Sequence, residues 1–414
     1  MLSVSSVEKL QATIFKFIAW LDRYGETSYD FQTFYASPVG QKAKALYYKL
    51  PLLGTMAVAP IIFCEAFLPS ARRLFWKPQR FPIADAHYAM GFASLSQTLG
   101  EKKYYQRAVH FLEVLEATRC PGQKHYAWGY PFDWVGIGGT IKEGTPLITT
   151  EPYVYEAFSQ VYEIDKDQKW RQIMQSLAEH VSQDYFDTQT SALASSSSYT
   201  PASEPASGGV VNASAYRAFL LMKAALDFSE EKYRVQAERN MHFVLDSQNA
   251  DGSWFYAMDG IRSFVDHFHT GFVMKALAKI ERLTGNPHCT TAIERGVNYY
   301  VEHLFDEAGL PKPFSKAPRL TTYRRELYDY AECINIAVLL KGRFPDLDKW
   351  LGTVLNDIMT RWQRPDGSFR SRHLLLGWDN VPMHRWAQAQ LFRSLCCLLD
   401  KSKHNSEIDL PKRG

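Results

Sequence analysis

A repeat constrains the fold of this chain more than any other feature. Gln248 to Trp254 reads QNADGSW and Gln363 to Phe369 reads QRPDGSF, an offset of 115 residues. The same offset lays His269 on His384, each at the start of an apolar-patterned segment, HTGFVMKALAKI and HRWAQAQLFRSL. A weaker copy lies between them, FDEAGLPKPF followed by LYDYAECINIAVLL. Earlier copies read QKHYAWGYPFDW before TEPYVYEAFSQVY, and NASAYRAFLLMKAAL. A unit of about 60 residues therefore runs through most of the chain.

Each unit has one order: loop, apolar helix, short polar turn, amphipathic helix. The second helix carries apolar residues at i, i+3, i+4 and i+7, as in Val297, Tyr300, Val301 and Leu304. The first helix is apolar nearly all round, the mark of an inner helix. Inner helices are expected near Pro82, Thr150, Val211, Asp266, Glu326 and Val381. An amphipathic helix from Ser6 to Tyr24 supplies the sixth outer one. The fold class predicted is all-α, a single (α/α)6 toroid of six helical hairpins over residues 1–414. Residues 25–80 are expected to form an N-terminal extension packing on the ring. The Ser-, Ala- and Pro-rich stretch 188–209 reads as a mobile loop over the mouth.

Composition narrows the function. Net charge is +3 and the basic residues form no blocks, which argues against a nucleic-acid partner. The six cysteines show no zinc-finger spacing, and no cofactor motif is present: neither a G-x-S-x-G nucleophile elbow nor a Gly-rich phosphate loop. Glu8, Lys9 and Lys16 interrupt the first apolar segment, which argues against a signal peptide and for a cytoplasmic protein. The uncharged run Leu50 to Cys64 is shorter than the roughly 20 residues of a membrane span. Burial against the domain is the expectation for it, with membrane-surface association as the alternative.

In a toroid the loops that lead into the inner helices gather at one end, so functional residues are sought there. The first of these loops offers Trp128, Tyr130, Asp133, Trp134, Glu151 and Tyr153; the next, Tyr199 and Asn212. The fourth gives Tyr256, Asp266, His267 and His269, and the last two Glu326, Tyr328, Asp329, His384 and Arg385. Asp266 also suits a helix N-cap. His269 and His384, equivalent by the repeat, read as positions where an imidazole bonds a neighbouring loop. His267 has Pro382 at its equivalent position and is the better expectation for chemistry. A metal site from His267, His269 and Asp266 is disfavoured, because the i, i+4 helical spacing is absent.

Three chemistries fit these groups. A uronic-acid residue bound with Asn212 or Arg385 on its carboxylate, and losing its C5 proton to a His or Tyr, gives a C5-epimerase or a lyase. Two carboxylates among Asp133, Glu151, Asp266, Glu326 and Asp329 give glycoside hydrolysis. An aromatic lining stabilising a carbocation gives a terpene cyclase. A glycan-binding role without catalysis is the further alternative.

The QNADGSW turn resembles that of squalene-hopene cyclases and protein prenyltransferases, but the acidic DxDD motif is missing, the nearest sequence being DLDK at Asp346. A longer resemblance spans Tyr29 to Leu398. HYAWGYPFDW, KEGTP, SYTP, VNAS, DGSWFY, DHFHTGF and MHRWAQAQLF are similar to segments of the VpsJ-like proteins of bacterial exopolysaccharide and capsule clusters, with EPYVYEAF and YDYAECINI departing from that pattern. This resemblance implies a role in surface-polysaccharide biosynthesis, with a polysaccharide or oligosaccharide as partner. A weaker likeness to glucuronyl C5-epimerases implies that Tyr328, Glu326 and Arg385 take part in proton transfer.

Overall fold

The computed structural model describes residues 4–202, 209–318 and 320–408. Helix α1 (Val4–Tyr24) is followed by an extension containing α2 (Pro38–Lys49) and α3 (Pro51–Phe67). Five inner–outer pairs come next: α4 (Pro82–Leu99) with α5 (Lys102–Ala117), α6 (Glu151–Asp165) with α7 (Gln168–Gln183), α8 (Val211–Phe228) with α9 (Glu231–Asp246), α10 (His267–Thr284) with α11 (Pro287–His303), and α12 (Leu327–Leu339) with α13 (Pro345–Asp357). The sixth inner helix begins as a π-helical turn, His384–Gln388, and continues as α14 (Ala389–Ile408). Successive inner helices pack side by side and α14 returns onto α4, closing an (α/α)6 toroid.

The repeat turn explains the closure. Gln248 Nε2 donates to Gly252 O and to Ala292 O on α11, both at 2.9 Å. Gln363 Nε2 donates to Gly367 O (3.3 Å) and to Thr13 O on α1 (2.9 Å). The two glutamines thus clamp their turn to the adjacent outer helix in the same way, and α1 stands to the sixth inner helix as α11 stands to the fourth. Gly252 (φ +93°) and Gly367 (φ +97°) are required twice over. A β-carbon at either would sit 2.4 or 2.2 Å from the carbonyl oxygen of Arg295 or Lys16. Trp254 and Phe369 are buried packing residues of these turns.

Two expectations are corrected. Residues 187–197 do not form an open loop: Asp187–Gln189 pairs antiparallel with Ser195–Ser197, whose side chains are buried. Arg217 Nη1 and Asn240 Nδ2 hold Asp187 at 2.6 and 2.8 Å, and Ser214 Oγ accepts from Ser197 N, which pins the hairpin to α8 and α9. Residues 203–208 of the expected lid lie outside the described residues. The run Leu50 to Cys64 is not buried as a whole. Only the stripe Gly54, Val58 and Ile61, continued by Ala66, packs inward, onto the small core of Phe34 and Ala43. The extension also reaches the ring mouth. Arg72 pairs with Asp379 (2.7 Å), Asp30 with Arg385, and Phe31 with Trp386.

Candidate functional site

Side chains one helical stripe apart on each inner helix point to the toroid axis. On α10 they are Phe268, Phe272, Lys275 and Lys279, spaced 4, 3 and 4 residues. The middle of the axis is closed by ion pairs: Lys275 with Glu332 (2.5 Å), Lys279 with Glu156 (2.6 Å) and Arg393 with Glu156 (3.4 Å). Burial lowers the Lys279 ammonium to about 8 in spite of Glu156. Above this plug Tyr153 and Tyr216 share a 2.7 Å hydrogen bond between hydroxyls, and Lys275 Nζ donates to the Tyr153 hydroxyl at 3.3 Å. A cavity of about 10 Å³ remains among Tyr153, Glu156, Tyr216 and Lys275, room for about one water. A larger concavity of about 740 Å³ belongs to the outer turn after α11, around Glu302 and Asp306, and contains none of these residues.

The mouth is aromatic. Trp386 lies 4.7 Å from Tyr328 and 5.2 Å from Phe268 between ring centroids, with Phe31 of the extension at 4.5 Å. Across it stand Tyr256, Phe264 and His269, and Tyr130, Trp134 and Tyr199 form a further partly exposed group. Asn212, one turn above Tyr216 on α8, is buried with its Oδ1 unpartnered.

The structure places the histidines otherwise than the repeat suggests. His267 is wholly buried, with Nδ1 3.2 Å from the carbonyl oxygens of Leu304 and Lys312 and Nε2 facing the Tyr300 hydroxyl. Carbonyls only accept, so Nδ1 carries the proton and Nε2 receives the phenol. Burial holds this imidazole neutral, down to about 3. It staples α10 to the turn after α11 and is no candidate for chemistry. His384 is likewise buried, bonded to the Tyr88 hydroxyl (2.6 Å) and to Gly25 O (3.0 Å), and lowered to about 4 by burial. His269 is the one whose ring reaches the mouth, with 22% of its side chain exposed. Repeat equivalence misled here because His267 and His384 are each the first residue of their inner helix, so the structural counterpart of His384 is His267, two positions before the residue that the 115-residue offset lays on it.

Asp266 holds His269 twice. Its Oδ1 caps α10 at the His269 N–H (2.9 Å), and its Oδ2 lies 2.6 Å from His269 Nδ1. That contact orients the ring, with Nδ1 turned to Asp266 and Nε2 on the opposite side of the imidazole.

Other expected residues are committed elsewhere. Trp128 is fully buried with its indole N–H on Leu115 O, and Glu151 accepts from Trp128 N behind the helix start, its acidity suppressed by burial. Asp329 is wholly buried with both oxygens unpartnered; burial and then the Glu326 charge raise it well above the carboxylate range. Glu326 accepts from Arg372 Nε (2.5 Å) and from the Trp386 indole N–H (2.7 Å), so it positions the tryptophan. Asp133 is held low by Lys142 at the rim. Arg385 makes a two-pronged pair with Asp30, at 3.0 and 2.6 Å, and stacks on Tyr130. Its charge is matched, so it is no carboxylate clamp. Among the described residues no three His, Cys, Asp or Glu side chains gather to hold a metal.

Sequence reasoning missed Trp386, Lys275, Glu332 and the extension's Phe31 and Asp30. The charged residues had a signal: Lys275 and Lys279, four residues apart, and Glu332 and Arg393 on two other inner helices each interrupt an apolar stretch.

Fold and mouth together define an (α/α)6 toroid, plugged at its axis, with a histidine–aspartate pair among aromatic rings. No family model and no curated protein sequence matches the chain. Solved structures do. A cellobiose 2-epimerase from Bacillus thermoamylovorans is similar at TM-score 0.61 and 12% identity, over 78% of this chain and 88% of that one. A D-mannose isomerase is similar at 0.59 and 13%, over 79% and 88%, and a family 76 glycoside hydrolase from a bovine Bacteroides thetaiotaomicron strain at 0.59 and 13%, over 80% and 71%. At such identities the likeness is one of fold.

Proposed function

We propose that this chain is a carbohydrate-active enzyme that moves a proton at a sugar carbon, with His269 as the group that carries it. The observation that supports this most is the Asp266–His269 pair, oriented by the helix cap and aimed at an aromatic mouth. His269 Nε2 takes a proton from a carbon next to a carbonyl, and the C–H electron pair moves onto the carbonyl oxygen. Return of a proton to the opposite face epimerises the sugar; return to the neighbouring carbon isomerises it. The side-chain amide of Asn212 offers N–H donors to the developing oxyanion. Trp386, Tyr256 and Tyr130 offer faces for sugar rings.

The matched charges refine the substrate. A uronate needs its carboxylate neutralised, and Arg385 and Arg372 already face Asp30 and Glu326. A neutral sugar with an accessible carbonyl asks less of the site, and the epimerase and isomerase among the similar structures favour it. Hydrolysis is disfavoured, because Glu151, Asp266, Glu326 and Asp329 are all buried and Asp133 is tied to Lys142. The VpsJ-like motifs support a substrate belonging to, or destined for, a bacterial surface polysaccharide.

The test is a panel of neutral reducing sugars, glycans and uronate polymers incubated in heavy water. Deuterium in the recovered sugar is the expected result. An unsaturated, ultraviolet-absorbing product signals elimination from a uronate, and new reducing ends without deuterium sink the proposal in favour of hydrolysis.

A further inference from the structure

Helix α3 is apolar on every face, yet only the stripe through Val58 and Ile61 is covered. Leu52 is 87% exposed, Met56 73% and Phe63 55%, and Leu74, on the short helix Arg72–Phe75, is 88% exposed. At roughly 150–200 Å² for each fully exposed large side chain, the exposed residues between 47 and 74 amount to on the order of 1,000 Å², against the few hundred usual for a patch on a monomer.

Charge is concentrated on the same element. From Thr33 to Lys77 there are six basic residues and one acid, Glu65, a net +5, or +4 without Arg72, which is buried against Asp379, while the whole chain is +3. Lys42, Lys49, Arg73 and Lys77 are exposed beside the apolar face. Among the described residues no single helix is long and apolar enough to cross a membrane, and α3 turns by 116° into the next helical segment. An apolar face with a basic rim, on helices none of which is long enough to span alone, is the pattern of an element that lies in a headgroup layer.

We infer that α2, α3 and the helix at 72–75 dock this chain on an anionic lipid bilayer, with α3 seated at the boundary between headgroups and acyl chains. A second copy of the chain fits less well, since a two-fold pairing of this face would set one basic rim against the other. The inference is independent of the chemistry at the mouth.

Flotation of the full chain with vesicles of phosphatidylcholine, with and without phosphatidylglycerol, tests it. Binding is expected on the phosphatidylglycerol vesicles, weakened by salt, and reduced at least about tenfold in the double variant Leu52→Asp/Met56→Asp. Lys49→Glu/Lys77→Glu is expected to lower it severalfold. These side chains are exposed, so unchanged thermal melting certifies that the variants fold. Absence of flotation in the natural chain overturns the inference, as does equal flotation of the aspartate variant. A concentration-dependent dimer lost in that variant, without vesicle binding, overturns it in favour of self-association.

Discussion

His267→Gln separates a structural imidazole from a catalytic one. In the folded chain burial takes His267 from its ordinary 6.5 to about 3. The unfolded chain therefore binds a proton below pH 6.5 that the folded chain refuses, and stability must fall as pH drops from 6.5 toward 3. Each pH unit in that window is worth about 1.4 kcal/mol. Between pH 6.5 and 4.5 His267 alone should therefore cost the natural chain about 2.3 kcal/mol, since at pH 6.5 the unfolded imidazole is already half protonated. Glutamine keeps a donor for the Leu304 and Lys312 carbonyls and an acceptor for Tyr300 but does not titrate. Its loss of fit lowers stability at all pH values, whereas the pH slope contributed by residue 267 disappears. Urea unfolding of both chains at pH 6.5, 5.5 and 4.5 measures the difference of slopes, which cancels every other titrating group, including carboxylates such as Asp85, raised to about 7 by burial. The expected result is a gap between the two chains that narrows by about 2.3 kcal/mol from pH 6.5 to pH 4.5. Parallel curves would refute the reasoning, because His267 would then be free to protonate in the folded state.

Other outcomes follow from the same geometry. Lys275→Met strands Glu332 in the axial plug and should cost about 3–5 kcal/mol by chemical denaturation, most of it recovered in the double variant Lys275→Met/Glu332→Met. Gly252→Ala forces a β-carbon onto the Arg295 carbonyl at φ +93° and should cost about 2–3 kcal/mol, read as a drop in Tm. Trp386→Phe removes the indole N–H that Glu326 accepts and should raise KM about fivefold with little change in kcat, since it affects how the ring is held rather than the proton transfer.

The ring was legible because a repeat reports architecture directly. The QNADGSW and QRPDGSF turns mark two outer-helix junctions, and their glutamines do the same work in both. The mouth was less legible for three physical reasons. A two-residue difference in a repeat alignment turns a side chain from the mouth to the outer layer, which is why His267 and not His269 drew attention. Partners distant in sequence neutralise charge invisibly: nothing near Arg385 announces Asp30, which lies 355 positions earlier. An apolar run such as Leu50 to Cys64 reads the same whether neighbouring protein or something else covers it.

The most direct test of the central claim uses a sugar that the natural chain labels from heavy water, with wash-in rates compared for the natural chain, His269→Gln and His267→Gln. General-base removal is expected to slow labelling in His269→Gln by about 10²–10⁴-fold, with Asp266→Asn intermediate. His267→Gln, melted separately to confirm folding, should stay within a few-fold of the natural rate. Full labelling by His269→Gln together with its loss in a folded His267→Gln would contradict the account.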